Sequence, residues 1–182
     1  MEQSRFFLKK KWEAYLKYPS HTLFLDIETE GLSKEKNEIT IIGIFKKGCY
    51  YPFINGFNLE KALNFLISTP IWVTFGGENF DLPFIKQKFP FLQTPYVHLD
   101  LYHLSKEVGL KGGLKKVEKL LGIERETEGL NGYDAVKLWD KWQKEKNKEA
   151  LRKLILYNKE DVINLKKILD LLILKIKRGG RI

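Results

Sequence analysis

Apolar residues fall into short runs over the first hundred positions and recur at helical spacing after that. Runs of four to eight apolar and β-branched residues, bounded by glycine, proline or charged residues, are typical of strands. Five such runs predict strands over residues 22–28, 38–45, 49–53, 71–75 and 96–99. Short polar loops separate the first three runs, which therefore predict an antiparallel meander.

Segments with helical spacing predict helices between and after these strands. They cover residues 5–18, 58–67, 79–88, 101–108, 114–121, 133–146 and 148–176. The last segment is predicted to be two helices or one long bent helix. Three strands, then alternating helices and strands, then helices predict an α/β protein. Its five-stranded mixed sheet would combine the meander with parallel strands, flanked by helices and followed by a helical C-terminal half.

Length and composition predict one globular domain. The chain has 182 residues, of which 43% are hydrophobic and 30% charged. We assign residues 1–20 to an N-terminal helical extension, 21–178 to the domain and 179–182 to a tail. A single cysteine excludes a disulfide framework within the chain and a zinc site built from several cysteines. No apolar run approaches the ~20 residues of a membrane span, and no signal peptide is evident, so we expect a cytoplasmic protein without a membrane partner.

Positive charge is concentrated at the C-terminal end. The net charge is +9, and residues 141–182 hold 13 Lys and Arg against 5 Asp and Glu. A basic region attached to a nearly neutral body indicates a polyanionic partner, either nucleic acid or an acidic surface. A solvated, lysine-rich helix surface is the alternative.

Two acids interrupt the apolar run at residues 22–28. Asp26 and Glu28 are two residues apart, so in a strand both side chains point to the same face. Burying two like charges side by side is costly unless a cation neutralises them, and hard divalent cations bind carboxylate oxygens. The alternative is that both acids lie at the exposed end of the strand and begin a loop.

Three further side chains become informative in combination with this pair. Asp81 opens a predicted helix, where an acid also complements the helix dipole. Tyr157 and Asp161 are four residues apart and share one face of the last helix. Glu160, beside Asp161, is also near that face, and helix geometry alone does not choose between the two acids. Asp100 is predicted to be an N-cap, with an accessory role near the acids as the alternative.

The order of these motifs resembles the DEDD exonucleases, which are DnaQ-like 3′–5′ exonucleases of the ribonuclease H-like superfamily, and most closely their YprB-like group. LDIETEGL is similar to the first motif, FGGENFDLPFI to the second and YNKEDV to the tyrosine form of the third. The resemblance covers about residues 22–172 and chooses Asp161 over Glu160. It implies the ribonuclease H-like fold.

The resemblance also implies the chemistry of the site. Asp26, Glu28, Asp81 and Asp161 would bind two divalent cations, Mg²⁺ or Mn²⁺, for hydrolysis of phosphodiester bonds in DNA or RNA. Tyr157 would orient the attacking water, because a phenol is a poor base at neutral pH. The expected partner is a nucleic acid, as a single-stranded 3′ end. A ribonuclease H-type endonuclease and a non-catalytic nucleic-acid-binding or scaffold domain remain the alternatives.

Substrate contacts are expected from three regions. The resemblance places Thr29 and Leu32 near the terminal nucleotide, and Asn79 is the candidate to replace an asparagine that relatives carry where this chain has Gly76-Gly77. The glycine turn between Lys111 and Lys115 would hold a phosphate with its free N–H groups, or be a plain turn before a helix. Basic residues of the C-terminal end complete the set, with Lys166 and Lys167 foremost.

Overall fold

A computed structural model of the chain describes residues 11–179 and has an α/β architecture with one mixed sheet. The strands are β1 (Thr22–Thr29), β2 (Ile39–Lys46), β3 (Cys49–Ile54), β4 (Ile71–Thr74) and β5 (Val97–Asp100). They lie in the order β3-β2-β1-β4-β5. The β1–β2 and β2–β3 pairs are antiparallel, whereas the β1–β4 and β4–β5 pairs are parallel. The predicted meander and the five-stranded mixed sheet are confirmed.

Helices connect and cover these strands. Residues 11–17 are helical and are labelled α1 here. The other helices are α2 (Ala62–Ser68), α3 (Asp81–Lys88), α4 (Leu101–Glu107), α5 (Leu114–Leu120), α6 (Gly132–Glu145) and α7 (Lys148–Lys177). Short 3-10 turns span Pro19–His21 and Leu59–Lys61. The predicted helix over residues 5–18 falls partly outside the described residues, which begin at residue 11.

The long final helix is one element. Of the two structures predicted for residues 148–176, the single helix is observed, as a 30-residue α7 that begins at an Asn147 cap. Its buried positions recur every three to four residues and include Leu154, Val162, Leu165 and Leu169. This stripe packs on β1, β2 and β3, so α7 crosses much of one sheet face.

Alternating side chains of β1 pack into two different parts of the core, one on each face of the sheet. Leu23, Leu25 and Ile27 pack with β2, α2 and α3 on one face of the sheet. Phe24 packs on the opposite face, with α4 and the buried side of α7. Because side chains alternate along a strand, Asp26 and Glu28 share the Phe24 face and point toward α7.

The helix formed by residues 11–17 packs into the core of the domain. Trp12 and Tyr15 are buried in the cluster that contains Phe24 and α7. The Tyr15 and Phe24 rings make an edge-to-face contact with centroids 5.8 Å apart. The Tyr15 hydroxyl donates a hydrogen bond of 2.8 Å to Asp170 on α7. Among residues 11–179, no helix combines the length and apolar character of a membrane span.

Candidate active site

Strand β1 carries two acids into the protein interior. Glu28 is buried, with 7% of its surface exposed, and Asp26 is partly buried. Asp26 lies opposite Gly43 and Glu28 opposite Ile41 on the neighbouring β2, so both acids are flanked by sheet on that side. Their position excludes the reading in which the pair merely begins an exposed loop.

Helix α7 brings a third acid to this pair. Tyr157 and Asp161 face the sheet and are buried, at 3% and 5% exposure. Carboxylate oxygens of Asp26, Glu28 and Asp161 all lie within 4.8 Å of one another. Three carboxylates this close, taken from a strand and a helix that pack face to face, form an acidic cluster at the interface of β1 and α7.

Asp81, the first residue of α3, lies beside this cluster. Its carboxylate accepts a hydrogen bond of 3.1 Å from the backbone N–H of Ile27, the residue between the two β1 acids. The turn before α3 is held by Asp100, whose carboxylate accepts from the backbone N–H groups of Gly76 (2.7 Å) and Glu78 (3.1 Å). Asp100 also accepts from Tyr102, so its predicted N-cap role is confirmed and it shapes the α3 entry as well.

Asn158, next to Tyr157, ties the β1 acids to α7. Its side-chain amide donates to Asp26 Oδ2 (3.1 Å) and Glu28 Oε1 (3.3 Å), and its Oδ1 accepts from the Tyr50 hydroxyl (2.8 Å). The side chain is fully buried. Its approach depends on Gly43, because a Cβ at that position would lie 1.9 Å from Asn158 Oδ1.

Two cations lie beside Asp161 and Tyr157. Arg125 donates to Asp161 Oδ1 and, through Nη1, to both oxygens of Glu118 at 3.0 and 3.3 Å. The Lys115 ammonium donates to the Tyr157 hydroxyl, lies 4.2 Å from the centre of that ring and is 3.9 Å from Asp161 Oδ1. The site thus combines a group of acids with a positive border on one side.

Burial and mutual repulsion work against ionisation of these acids. Burial, followed by repulsion from Asp161, Asp81 and Glu28, raises the pKa of Asp26 well above its usual range. Burial and repulsion from Asp161 do the same to the pKa of Glu28. Burial also raises the pKa of Asp81, to about 7, although the Ile27 N–H opposes the shift.

The positive charges of Lys115 and Arg125 offset only part of the rise in the pKa of Asp161. Burial raises the pKa of Asp161 even though Lys115 and Arg125 lower it. Burial and the nearby Asp161 raise the pKa of Tyr157 above its normal value, so its hydroxyl is protonated at neutral pH.

Glu160 and Asp161 point in different directions from α7. Glu160 accepts hydrogen bonds from the backbone N–H groups of Glu126 (2.7 Å) and Thr127 (3.1 Å), and from the Thr127 hydroxyl. These contacts hold the segment between α5 and α6 on the helix. The two adjacent acids therefore have different partners. Glu160 binds the segment between α5 and α6, and Asp161 lies beside Asp26 and Glu28.

A cavity of about 760 Å³ opens at the acidic cluster. Apolar walls come from Phe75, Phe80, Tyr102, Tyr133 and Val136. Eight of the residues that the sequence singled out line it: Asp26, Glu28, Thr29, Leu32, Asp81, Lys115, Tyr157 and Asp161.

Four other residues from the sequence analysis do not line this cavity: Asn79, Lys111, Lys166 and Lys167. Lys166 is engaged with Asp170 at 2.6 Å, and Lys167 borders a separate depression beside Leu121. A contact between these residues and a substrate stays a prediction.

The donor set fits hard divalent cations. It offers oxygen ligands from several carboxylates, with no thiolate or imidazole in the cluster of Asp26, Glu28 and Asp161. Mg²⁺ and Mn²⁺ prefer such oxygen ligands. A positive ion would also remove the repulsion that, after burial, raises the pKa of Asp26 and Glu28.

Sequence reasoning missed Asn158 and Arg125 as members of the site. Gly43, in the middle of the β-rich run at residues 38–45, was a usable signal for Asn158, because glycine in a strand interior often marks a close approach. For Arg125 the signal was its type. The chain has 27 Lys and only 5 Arg, so an arginine in the middle of the chain indicates a need for planar, multiple hydrogen bonding.

Comparison with known proteins matches this chain to one family and to one relative. A family profile described as the RNase_H superfamily matches residues 23–173. The uncharacterized protein MJ0365 of Methanocaldococcus jannaschii is 27% identical over an alignment of 169 positions, which covers 76% of this chain and 87% of that protein.

Solved structures share the fold at low sequence identity. Brucella melitensis NrnC is 20% identical with a TM-score of 0.60, over 90% of this chain and 77% of that one. The family B DNA polymerase of Pyrobaculum calidifontis is 16% identical with a TM-score of 0.62, over 81% of this chain and 24% of the polymerase. NrnC has also been solved with bound Mg²⁺ and bound to pGG.

Proposed function

Because the chain belongs to the RNase H superfamily, we propose that it is a divalent-metal-dependent nuclease that hydrolyses phosphodiester bonds of DNA or RNA. The observation that carries this proposal is the convergence of four acids from β1, α3 and α7, with Tyr157, on one cavity. The finer assignment is a 3′–5′ exonuclease of the DEDD type, in its tyrosine form and related to the YprB-like group.

The acids would hold two divalent cations, Mg²⁺ or Mn²⁺. Asp26, Glu28 and Asp161 supply oxygens that already lie within 4.8 Å of one another. Asp81, which accepts from the Ile27 N–H, adds a carboxylate close enough to raise the pKa of Asp26 by repulsion. When bound, such ions supply Lewis acidity and neutralise charge that develops on a phosphate. NrnC, which has a similar fold, has been solved with bound Mg²⁺.

Tyr157 is assigned to positioning. Its raised pKa keeps the hydroxyl protonated at neutral pH, so it acts as a hydrogen-bond donor. The hydroxyl oxygen accepts from Lys115, which leaves the hydroxyl hydrogen for an oxygen of the substrate or of the attacking water. Lys115 retains two further N–H groups that can meet phosphate oxygens, because an ammonium carries three donors.

The cavity shape supports a chain end as the substrate. Its volume of about 760 Å³ lies within the range of small-ligand sites. Thr29 at the end of β1, Leu32 in the loop that follows, and Tyr133 at the start of α6 line the same cavity as the acids. A cavity with apolar walls beside the acids suits a terminal nucleotide of a single strand better than an internal step of a duplex.

A degradation panel with labelled oligonucleotides tests this proposal. The strands would differ in sugar, in strandedness and in the labelled end, with Mn²⁺ or Mg²⁺ supplied. A ladder of products shortened from the 3′ end is expected, whereas internal fragments would indicate a ribonuclease H-type endonuclease. Asp26→Asn should abolish the products, while Asp140→Asn, at an exposed α6 acid, should not. No cleavage of any strand by the purified wild-type protein would contradict the proposal.

A further inference from the structure

Arg125 is a buried arginine that touches one of the proposed metal ligands. Its side chain is 6% exposed and it pairs with Asp161 Oδ1. Within residues 11–179, Oδ1 is the only oxygen of Asp161 with a hydrogen-bond donor. The guanidinium thus occupies one oxygen of a carboxylate whose other oxygen is left for a ligand.

Other residues hold the guanidinium firmly in place. Glu118, which is 1% exposed, accepts from Arg125 Nη1 and also from the Asn164 side chain at 2.9 Å. Arg125 Nη2 also approaches the Tyr157 carbonyl oxygen at 3.4 Å. Because Asn164, Tyr157 and Asp161 all lie on α7, the arginine is fixed relative to the acid that it neutralises.

The segment that carries Arg125 is fixed as well. Glu160 accepts from the backbone N–H groups of the next two residues, Glu126 and Thr127. The guanidinium of an arginine keeps its proton in proteins, and this one lies against the carboxylates of Asp161 and Glu118, so the group is charged. A permanent positive charge is therefore held against the acidic cluster by contacts on several sides.

We propose that Arg125 is a positioning residue and built-in counter-ion for Asp161, and that it competes with divalent cations for that carboxylate. The inference rests on the proposed function, in which Asp161 is a metal ligand. In the metal-free protein the guanidinium neutralises one of the clustered acids and fixes its orientation. When a cation binds, the same charge repels it, so the site binds its cations less tightly than the acids alone would.

This proposal predicts two effects of opposite sign. Replacing Arg125 by Met removes a hydrogen-bond donor of Asp161 and of the buried Glu118, so the metal-free protein should unfold at a lower temperature. The same change removes a positive charge within a few ångströms of the cluster, so Mn²⁺ should bind more tightly. If Arg125 only held the loop in place, its replacement would lower the unfolding temperature and would also weaken Mn²⁺ binding, because a disordered site binds metal less well.

Calorimetric titration with Mn²⁺ alone is the deciding experiment. Arg125→Met should lower the Kd for Mn²⁺ by roughly tenfold or more, as expected for removal of a like charge at this range. Arg125→Lys, which keeps the charge but not the planar geometry, should return the Kd close to the wild-type value. Arg152→Met is the matched control, because Arg152 is exposed on α7 and pairs only with its helical neighbour Glu149 among the described residues.

The outcomes separate this inference from the proposed function. A folded Arg125→Met protein with an unchanged or higher Kd for Mn²⁺ would overturn the counter-ion proposal while leaving the nuclease assignment intact. A wild-type protein that binds no Mn²⁺ would overturn both. Circular dichroism checks the fold of each variant. If Arg125→Met does not fold, Arg125→Gln takes its place in the same titration, with the same expected sign and the same criterion.

Discussion

The side-chain oxygen of Asn158 lies where a Cβ at Gly43 would have to be, since a methyl group built on that glycine would approach it to 1.9 Å. The contact joins the middle of β2 to α7 beside Asp26, which is the partner of Gly43 on the adjacent strand β1. A glycine in this strand therefore determines how closely the helix can approach the acids.

Gly43→Ala should disturb both the fold and the site. The added methyl group must displace Asn158 or Val162, and overpacking of this kind typically costs about 1–3 kcal/mol. Urea unfolding of the metal-free protein measures the loss. Gly132→Ala, at the first turn of α6 where a Cβ would meet no atom within 4 Å, is the control and should be neutral or stabilising. Equal unfolding midpoints for the two variants would contradict the prediction.

Tyr157→Phe should slow cleavage and leave metal binding in place. The change removes only the hydroxyl, which accepts from Lys115 and is assigned to orient water or substrate. A single transition-state hydrogen bond is worth about 10- to 1000-fold in rate. Single-turnover cleavage of a labelled oligonucleotide measures the rate, and calorimetry with Mn²⁺ provides the control. A wild-type rate in the variant would show that Tyr157 only packs in the core.

The metal-free protein should lose stability as pH rises from about 4 to about 7 on account of its acids. Burial raises the pKa of Asp81 to about 7, and those of Asp26 and Glu28 are also raised, so the folded state holds protons that the unfolded chain has released. Stability falls wherever the folded state binds more protons. The melting temperature in chelator should therefore be lower at pH 8 than at pH 5.5.

Mn²⁺ and a matched variant complete this pH experiment. Adding Mn²⁺ at pH 8 should raise the melting temperature, because the cation then neutralises the charged acids, and should have little effect at pH 5.5. Asp81→Asn should flatten the pH dependence, which isolates Asp81 from groups such as Glu160, whose pKa is lowered. An Asp81→Asn protein that follows the wild-type curve would refute the assignment of the effect to Asp81.

Reversing charge at the C-terminal end of α7 should weaken nucleic-acid binding without changing the chemical step. Lys175 lies 14 residues beyond Asp161, or about 21 Å along the helix at 1.5 Å per residue, too far to touch the reacting phosphate. Such residues can still attract the backbone of a strand. The variant changes three residues to Glu: Lys175, Lys177 and Arg178. We expect a higher Kd and a salt dependence flatter by roughly 0.7 per lost phosphate contact on a single strand.

Fluorescence anisotropy in Ca²⁺, which should support binding without cleavage, measures this salt dependence. The control reverses three exposed lysines elsewhere on the surface: Lys17, Lys47 and Lys61. If both triple variants show the wild-type slope, the charge of the C-terminal end is a solvated surface with no role in binding.

The parts of the site that could be predicted from the sequence depend on local periodicity. Side chains alternate along a strand, so the spacing of Asp26 and Glu28 was enough to place both on one face. The same holds for Tyr157 and Asp161, four residues apart on a helix. The order of strands and helices likewise predicted the mixed sheet, because a meander and alternating helix–strand units leave few arrangements.

The parts that could not be predicted are contacts between distant, polar residues. Asn158 meets Asp26 across 132 positions, and Arg125 meets Asp161 across 36. No local pattern encodes such pairs, because they depend on how α7 and the α5–α6 segment pack on the sheet. The choice between Glu160 and Asp161 is of the same kind. Both fit the helical spacing, and only the position of the neighbouring segment separates the two acids.

The hydrogen bonds from the segment after α5 to Glu160 also affect how fast the amides of that segment exchange hydrogen with solvent. Amides outside helices and strands usually exchange quickly, but those of Glu126 and Thr127 donate to the carboxylate of Glu160 on α7. These amides are freed when this stretch of chain lifts away from α7, and the same movement would withdraw Arg125 from Asp161. The rate of deuterium uptake at these two amides would thus report how often this side of the acidic cluster opens, in the protein without metal or substrate.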